Sequence, residues 1–379
     1  MLAASYGAAQ PLGPRAALGR LFTDAPRAAW FTEDFLAAAP LVQITGVLAQ
    51  LTDELGRYER VEGTENPFTV RFAQGTADAQ IALDRQGRIG GLFFSAPTPE
   101  LGGVDGALER FTALPGEVSV LVLEAGRERA ALRADAPLAV GSTFKLAVLS
   151  ALDDEVAAGR RAWDEVVRLR PEWRSLPSGV LQDWPPGSPV TLATLATLMI
   201  SVSDNTATDA LMAVLTRERV AAEGGRNRPF LTTREAFALK SSENRGLLRR
   251  YREGGEAARR GVLAELSGRG LPSADLLERG PAALDVEWFF TVRELCALMA
   301  EVQRLPLTRV NPGVADPAAW AAVSYKGGSE PGVLNATTWL TREDGRGVCV
   351  SATQNREVAL DEAAFNGLYR GLLSALAAE

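Results

Sequence analysis

The 379-residue sequence contains no histidine. That removes the Ser-His-Asp triad, Cys-His nucleophiles, His-ligated zinc and every imidazole general base from the chemistry open to it. If the chain is an enzyme, its proton shuttle must be Lys, Asp, Glu, Tyr or Ser. Cysteine is nearly absent too. Cys296 and Cys349 sit in the apolar patterns Leu295-Cys296-Ala297-Leu298 and Val348-Cys349-Val350 and read as two small buried side chains. Two thiols are too few for a Cys-type zinc site and imply no disulfide framework; no metal or cofactor is expected. No apolar run approaches the roughly 20 residues that span a bilayer. Positive charge is not in excess: the net charge is −7 and the pI about 5.1, which speaks against nucleic acid or an anionic membrane as the main partner. The stretch Met1–Gln10 has neither a basic start nor a full hydrophobic segment. It reads as a disordered lead-in or as the start left after a removed signal, so a secreted or periplasmic location and a cytoplasmic one both stay open.

What is present suits a globular protein, with 46% hydrophobic and 23% charged residues and length enough for two domains. There is no internal repeat. From about Arg27 to Gly56, apolar residues recur at spacings of three and four, and Pro40 divides the pattern into two helices. Alternating segments at 67–72, 79–83 and 89–94 then read as an antiparallel meander with a turn at Asp84-Arg85-Gln86-Gly87. Ala96 to Gly116 is rich in Gly and Pro and reads as a linker. A strand at Val118–Glu124 opens a larger region with a helical middle. Strands return at about 321–325, 333–341 and 348–354, and a last helix runs from Leu360 to Leu376. The Arg-rich stretch Lys240–Arg279 reads as a solvated helical excursion or a lid.

Three short motifs stand in order along the larger region. Ser142-Thr143-Phe144-Lys145 follows Gly141 at what reads as the start of a buried helix. Residues i and i+3 share a helix face, so the hydroxyl and the amine become neighbours. Burial lowers the amine's pKa, and a neutral amine can take the serine proton and create a nucleophile. The helix N-terminus adds a positive dipole beneath a developing oxyanion. Alone, the pattern equally describes a helix start with a solvated lysine. Ser203-Asp204-Asn205 lies between two apolar helices, where a polar tripeptide is commonly a cap. Used chemically, Ser203 relays a proton to the leaving nitrogen, Asn205 holds the substrate's amide and Asp204 is a buried scaffold residue. Lys326-Gly327-Gly328-Ser329 follows a strand. Its glycines, Gly328 included, let a substrate lie against the strand edge. The amides of Ser142 and Ser329 form an oxyanion hole. Lys326 supplies positive potential for a substrate carboxylate and helps hold Lys145 neutral.

Together the three resemble Ser-x-x-Lys, Ser-Asp-Asn and Lys-[Thr/Ser]-Gly of class A β-lactamases and penicillin-binding proteins. The resemblance covers Val118 to Glu379 and implies an α+β fold: an antiparallel sheet flanked by helices plus an all-helical lobe, with the site between them. Ser142, Lys145, Ser203 and Lys326 would be catalytic, and Asn205, Gly328 and Ser329 would bind substrate. The N-terminal region, with Trp30-Phe31 and a meander ending at Gly91-Leu92-Phe93-Phe94, looks like a cystatin- or NTF2-like (ketosteroid-isomerase-like) domain. That fusion is similar to the arrangement in the β-lactamase-like hydrolase of clavulanic acid biosynthesis, a likeness supported by Asp183-Trp184-Pro185-Pro186-Gly187, Leu231–Glu235 and Lys326–Gly332. The expected layout is a disordered or extended lead-in at 1–24, an NTF2-like domain at 25–97, a linker at 98–116 and the hydrolase domain at 117–379.

Two departures bear on function. Gly327 stands where the family carries Thr or Ser, so a hydroxyl that would grip a substrate carboxylate is missing; Ser329 or Ser324 are candidates to replace it. The Glu-x-x-Leu-Asn segment that activates the hydrolytic water in class A β-lactamases does not occur. Thr232-Thr233 resembles the pair closing that loop, and Glu235 reads as a first-turn helix residue. The expectation is a serine hydrolase that acylates Ser142 with an ester, β-lactam or peptide-like amide and is weak as a β-lactamase. The alternatives are a D-alanyl-D-alanine peptidase and a non-catalytic binding relative. Oligomeric state is open.

Overall fold

The computed structural model describes residues 12–95, 97–273 and 283–379. The chain divides into two compact units, Met1–Gly103 with Asn366–Leu376, and Val104–Phe365 with Ala377–Glu379.

In the first unit, α1 (Pro14–Thr23), α2 (Glu33–Ala38) and α3 (Leu41–Leu55) precede β1 (Tyr58–Glu62), β2 (Phe68–Phe72), β3 (Gly75–Leu83), β4 (Ile89–Phe94) and β5 (Thr98–Pro99). The strands form one antiparallel sheet in the order β1-β2-β3-β4, with β5 also on β3. The helix break at Pro40 is where the sequence places it: Pro40 caps α3, which buries Ile44, Leu48, Leu51 and Leu55, one stripe at helical spacing. In β3 the buried residues Ala77, Ala79 and Ile81 alternate with exposed Asp78, Gln80 and Ala82. The expected disordered or extended lead-in is corrected over its second half. Pro14 starts a helix whose Ala17, Leu18 and Leu21 are buried, so an apolar stripe, not a polar tail, sets its structure.

The second unit begins with α4 (Gly103–Thr112), which corrects the linker at 98–116. Val104, Ala107 and Phe111 repeat at three and four and are buried; the glycines flank that helix. Then come β6 (Glu117–Glu124), β7 (Arg127–Leu132), β8 (Leu138–Ala139), α5 (Lys145–Ala157), β9 (Val166–Arg168), β10 (Pro189–Thr191), α6 (Leu192–Ser201), α7 (Asn205–Leu215) and α8 (Arg217–Glu223). They are followed by α9 (Thr233–Lys240), α10 (Arg245–Glu253), α11 (Glu256–Leu266), β11 (Phe289–Phe290), α12 (Val292–Val302), β12 (Ala322–Glu330), β13 (Val333–Thr341) and β14 (Gly347–Asn355); the last helix, α13 (Glu362–Ala377), belongs over Asn366–Leu376 to the first unit. The main sheet is antiparallel in the order β12-β13-β14-β6-β7, so β12 is an edge strand and β6 waits for a partner more than 220 positions later.

Helix α5 is buried from Lys145 to Asp153, as a helix surrounded on every side must be. Apolar residues of α6, α7, α8, α9 and α12 join it in one large buried cluster. The Arg-rich excursion is α10 and α11. It is not merely solvated: Leu247, Tyr251, Val262, Leu263 and Leu266 are buried, while Arg250 pairs with Glu265 and Arg252 with Asp285. Residues 274–279 of that stretch lie outside the described residues. The two cysteines are buried but not free. Cys296 on α12 and Cys349 on β14 form a disulfide across a Cα–Cα separation of 5.8 Å. No sequence pattern announces the pairing, because α12 and β14 meet only through packing and the two cysteines lie 53 residues apart in the chain.

Candidate active site

Strand β8 leads into a 3-10 turn, Gly141–Phe144, and α5 starts at Lys145. In a 3-10 turn residues i and i+3 eclipse, so Ser142 and Lys145 stand on one side of it. The Lys145 N–H closes the turn by donating to the Ser142 and Thr143 carbonyls. Phe144 anchors it from below, stacked on Trp288 at 3.9 Å and edge-on to Phe230 at 5.8 Å. Ser142 is half-buried at the surface of this turn, and Lys145 is 0% exposed.

Ser203 and Asn205 arrive from the α6–α7 connection. Asp204 holds that connection in place. Its Oδ1 caps α7 by accepting from the Ala207 N–H at 2.8 Å, and its Oδ2 accepts from the Val180 and Leu181 N–H groups at 2.7 and 2.9 Å. Gly179 lies at φ +101, and a Cβ there would sit 2.3 Å from the Asp204 carboxylate. Ser203 itself takes a left-handed φ of +57, strained for a serine. The result points three oxygens at the buried amine. Lys145 Nζ lies 2.6 Å from Ser203 O, 3.0 Å from Ser203 Oγ and 2.6 Å from Asn205 Oδ1. Asn205 Nδ2 donates to Leu176 O at 3.0 Å, which fixes the amide's orientation.

Strand β12 closes the other side. Alternation puts Lys326, Gly328 and Glu330 on one face and Tyr325, Gly327 and Ser329 on the other. The first face meets the Ser142 turn: a Cβ on Gly328 would lie 2.1 Å from Val140 O and 2.8 Å from Ser142 N. Gly141, at φ +49, sits opposite, where a Cβ would lie 3.4 Å from Ser329 N. Two glycines therefore let the backbones carrying the Ser142 and Ser329 amides approach each other. Lys326 Nζ reaches Ser203 Oγ at 3.1 Å, so one hydroxyl stands between two buried amines.

Burial pushes Lys145 down to about 7 against the opposing pull of Asp209, Asp204 and Glu330. Burial, and then the neighbouring Lys145, hold Lys326 well below the usual lysine range. Burial pushes Asp209 up to about 7 against hydrogen bonds from the Arg234 and Thr233 amides and the Thr233 hydroxyl. That carboxylate caps α9 (Thr233 N–H at 2.7 Å, Arg234 N–H at 2.9 Å).

Ser142, Ser178, Asn205, Phe237, Ser329 and Glu330 border one cleft of about 350 Å³. Sequence reasoning named three of these; Ser178, Phe237 and Glu330 it did not. Glu330 could have been found, since period-two alternation from Lys326 reaches it. The hydroxyl missing at Gly327 is not replaced by Ser324, which is buried and bonded to Thr308 and Gln303. Ser329 Oγ donates to Glu362 Oε1 at 2.9 Å. The space a side chain at 327 would fill is taken by Tyr325, whose hydroxyl lies 2.1 Å from the position of a Cβ there. Glu235 has the first-turn place the sequence suggests: it closes a capping box with Thr232 and pairs with Arg217.

Residues 107–225 match the Beta-lactamase enzyme family, a span that includes Ser142, Lys145 and Ser203–Asn205. No curated protein sequence matches the chain. Among solved structures, a β-lactamase from Sphaerobacter thermophilus is similar at a TM-score of 0.50 and 20% identity, over 73% of this chain and 95% of that one. PBP-A is similar at 0.49 and 16%, over 72% and 94%. An ancestral class A β-lactamase is similar at 0.49 and 18%, over 72% and 98%. Over 73% of the chain the fold is β-lactamase-like, with mixed helix and strand.

Proposed function

We propose that the chain is a serine hydrolase that forms an acyl-enzyme on Ser142 with an ester or β-lactam substrate. The observation that carries this reading is the fully buried Lys145 amine, one turn from Ser142 and held by Ser203 and Asn205. A neutral amine has two N–H donors and one lone pair. The donors fit Ser203 O and Asn205 Oδ1, and the lone pair is the base. It takes the Ser142 Oγ proton as Oγ attacks the substrate carbonyl. The Ser142 and Ser329 amides donate to the oxyanion. The proton then passes through Ser203 Oγ to the leaving nitrogen or oxygen, the scissile bond breaks and the acyl group stays on Ser142. Lys326 polarises Ser203 Oγ and, with the Tyr325 hydroxyl standing in for one at 327, receives a substrate carboxylate. Asn205 also faces the substrate amide. Gly328 leaves room for the substrate along β12.

Without a Glu-x-x-Leu-Asn segment the acyl group leaves slowly, which favours an esterase or a slow acyl-enzyme former over an efficient β-lactamase. The same absence supports the second reading, a penicillin-binding peptidase. The three helices and antiparallel sheet of the first unit support an NTF2-like domain that docks or shapes substrate. Intact mass after incubation with a fluorescent penicillin and with 4-nitrophenyl acetate tests the reading. Wild type gains one acyl group and Ser142→Ala gains none; identical masses across both probes overturn it.

A further inference from the structure

Release of the acyl group needs a base for water, and the carboxylates around Ser142 can be sorted by what already occupies them. Asp204 accepts three backbone N–H groups. Asp209 caps α9. Glu235 is held by Arg217 and by the Thr232 N–H. Glu362 borders the cleft but is exposed and bonded to Ser329, on the face of β12 away from the Ser142 turn. Among the described residues, Glu330 alone borders the cleft, projects from the face of β12 that meets the Ser142 turn, and is nearly buried, its side chain 9% exposed. Lys326 and Glu330 thus flank Gly328, the point of closest approach to Ser142.

We propose that Glu330 is the base that activates water for deacylation of Ser142. This rests on the acyl-enzyme reading above. Glu330 is held by a buried set: Lys240 Nζ donates to its Oε2 at 2.8 Å and also to Glu287 Oε1. Among the described residues, no donor reaches the buried Glu287 Oε2, and the Glu287 and Glu330 carboxyls contact each other. Two carboxylates beside one ammonium cannot both carry charge cheaply. Burial and the Glu330 charge push Glu287 well above the carboxylate range. Burial also pushes Glu330 up, but Lys240 and the contact with Glu287 overcome it and keep it ionised. The proton of the pair sits on Glu287 and the charge on Glu330, facing the cleft. The Glu330 carboxylate takes one proton from water, and the resulting hydroxide oxygen adds to the ester carbonyl. The C–Oγ bond to Ser142 breaks, Oγ recovers the proton, and the acyl group departs as a carboxylic acid. A carboxylate already serving Lys240 is a weak base, so this step is slower than acylation.

The test uses the full chain with 4-nitrophenyl acetate, reading the burst for acylation and intact mass during a chase for release. Glu330→Gln should acylate at close to the wild-type rate and release at least about 100-fold more slowly, the contribution of a positioned general base. Hydroxylamine, a nucleophile that attacks without a base, should clear the acyl group from Glu330→Gln as fast as from wild type. Should Glu330→Gln misfold, Glu330→Asp keeps the charge and should slow release without altering the burst. Release by the Gln variant at the wild-type rate overturns the proposal, as does a trapped acyl group that hydroxylamine cannot clear or an unchanged Asp variant. If wild type never acylates at Ser142, the acyl-enzyme reading fails first and takes this one with it.

Discussion

Lys145 is a cation placed where solvent does not reach it, and its behaviour with pH follows from that. Below about 7 the amine is protonated and has no lone pair for the Ser142 proton; above it the amine is free. Acylation by 4-nitrophenyl acetate, followed by stopped flow, should therefore rise as pH passes through about 7 and then level. A flat profile from pH 5 to 9 would sink the assignment. Lys145→Ala should lose at least about 100-fold in acylation, because no histidine can take over. Ser142, Lys145, Ser203, Asn205 and Lys326 were legible in the sequence since their motifs keep order and local context. Tyr325 was not, and Glu330 is reached only by carrying period-two alternation on from Lys326. The Gly327-Gly328 pair reads as the end of a strand, whereas β12 runs on to Glu330, and the Tyr325 hydroxyl and Glu330 carboxyl lie just either side of that pair.

Elements place these side chains, and the tightest junction is between β12 and the turn carrying Ser142. Gly328→Ala would drive a methyl into Val140 O and the Ser142 and Thr143 amides. All three are backbone atoms that cannot rotate aside, so strand or turn must move. A shift of about 1 Å can cost on the order of 100-fold in rate, and overpacking costs about 1–3 kcal/mol. The burst with 4-nitrophenyl acetate should fall by that order while the circular dichroism spectrum stays that of the wild type; an unaltered burst would show that the junction has slack. At this scale most helices and strands were readable from periodicity. Helices α1 and α4 were missed because neighbouring Gly and Pro outweighed short apolar stripes, Ala17-Leu18-Leu21 and Val104-Ala107-Phe111, in the sequence reading. Strands β1 and β7 were missed because they are largely solvated and lack a buried alternating face.

At the scale of the molecule, contacts far apart in the chain dominate, and these the sequence does not announce. The bond between Cys296 and Cys349 is one. Alkylation of the denatured protein without reductant should add no mass, and replacing both cysteines by Ala should cost about 2–4 kcal/mol, read as a lower denaturation midpoint. Two alkyl groups added without reductant would show free thiols. The sheet order has a further consequence, for synthesis. Strand β6, with an unbroken apolar run from Val120 to Leu123, has β7 at hand almost at once, but its other edge is covered only by β14, more than 220 positions later. Until β14 is made that edge has nothing to pair with, and an open apolar edge is what chaperones hold and aggregates grow from. The molecule's most vulnerable moment comes before β14 has been made.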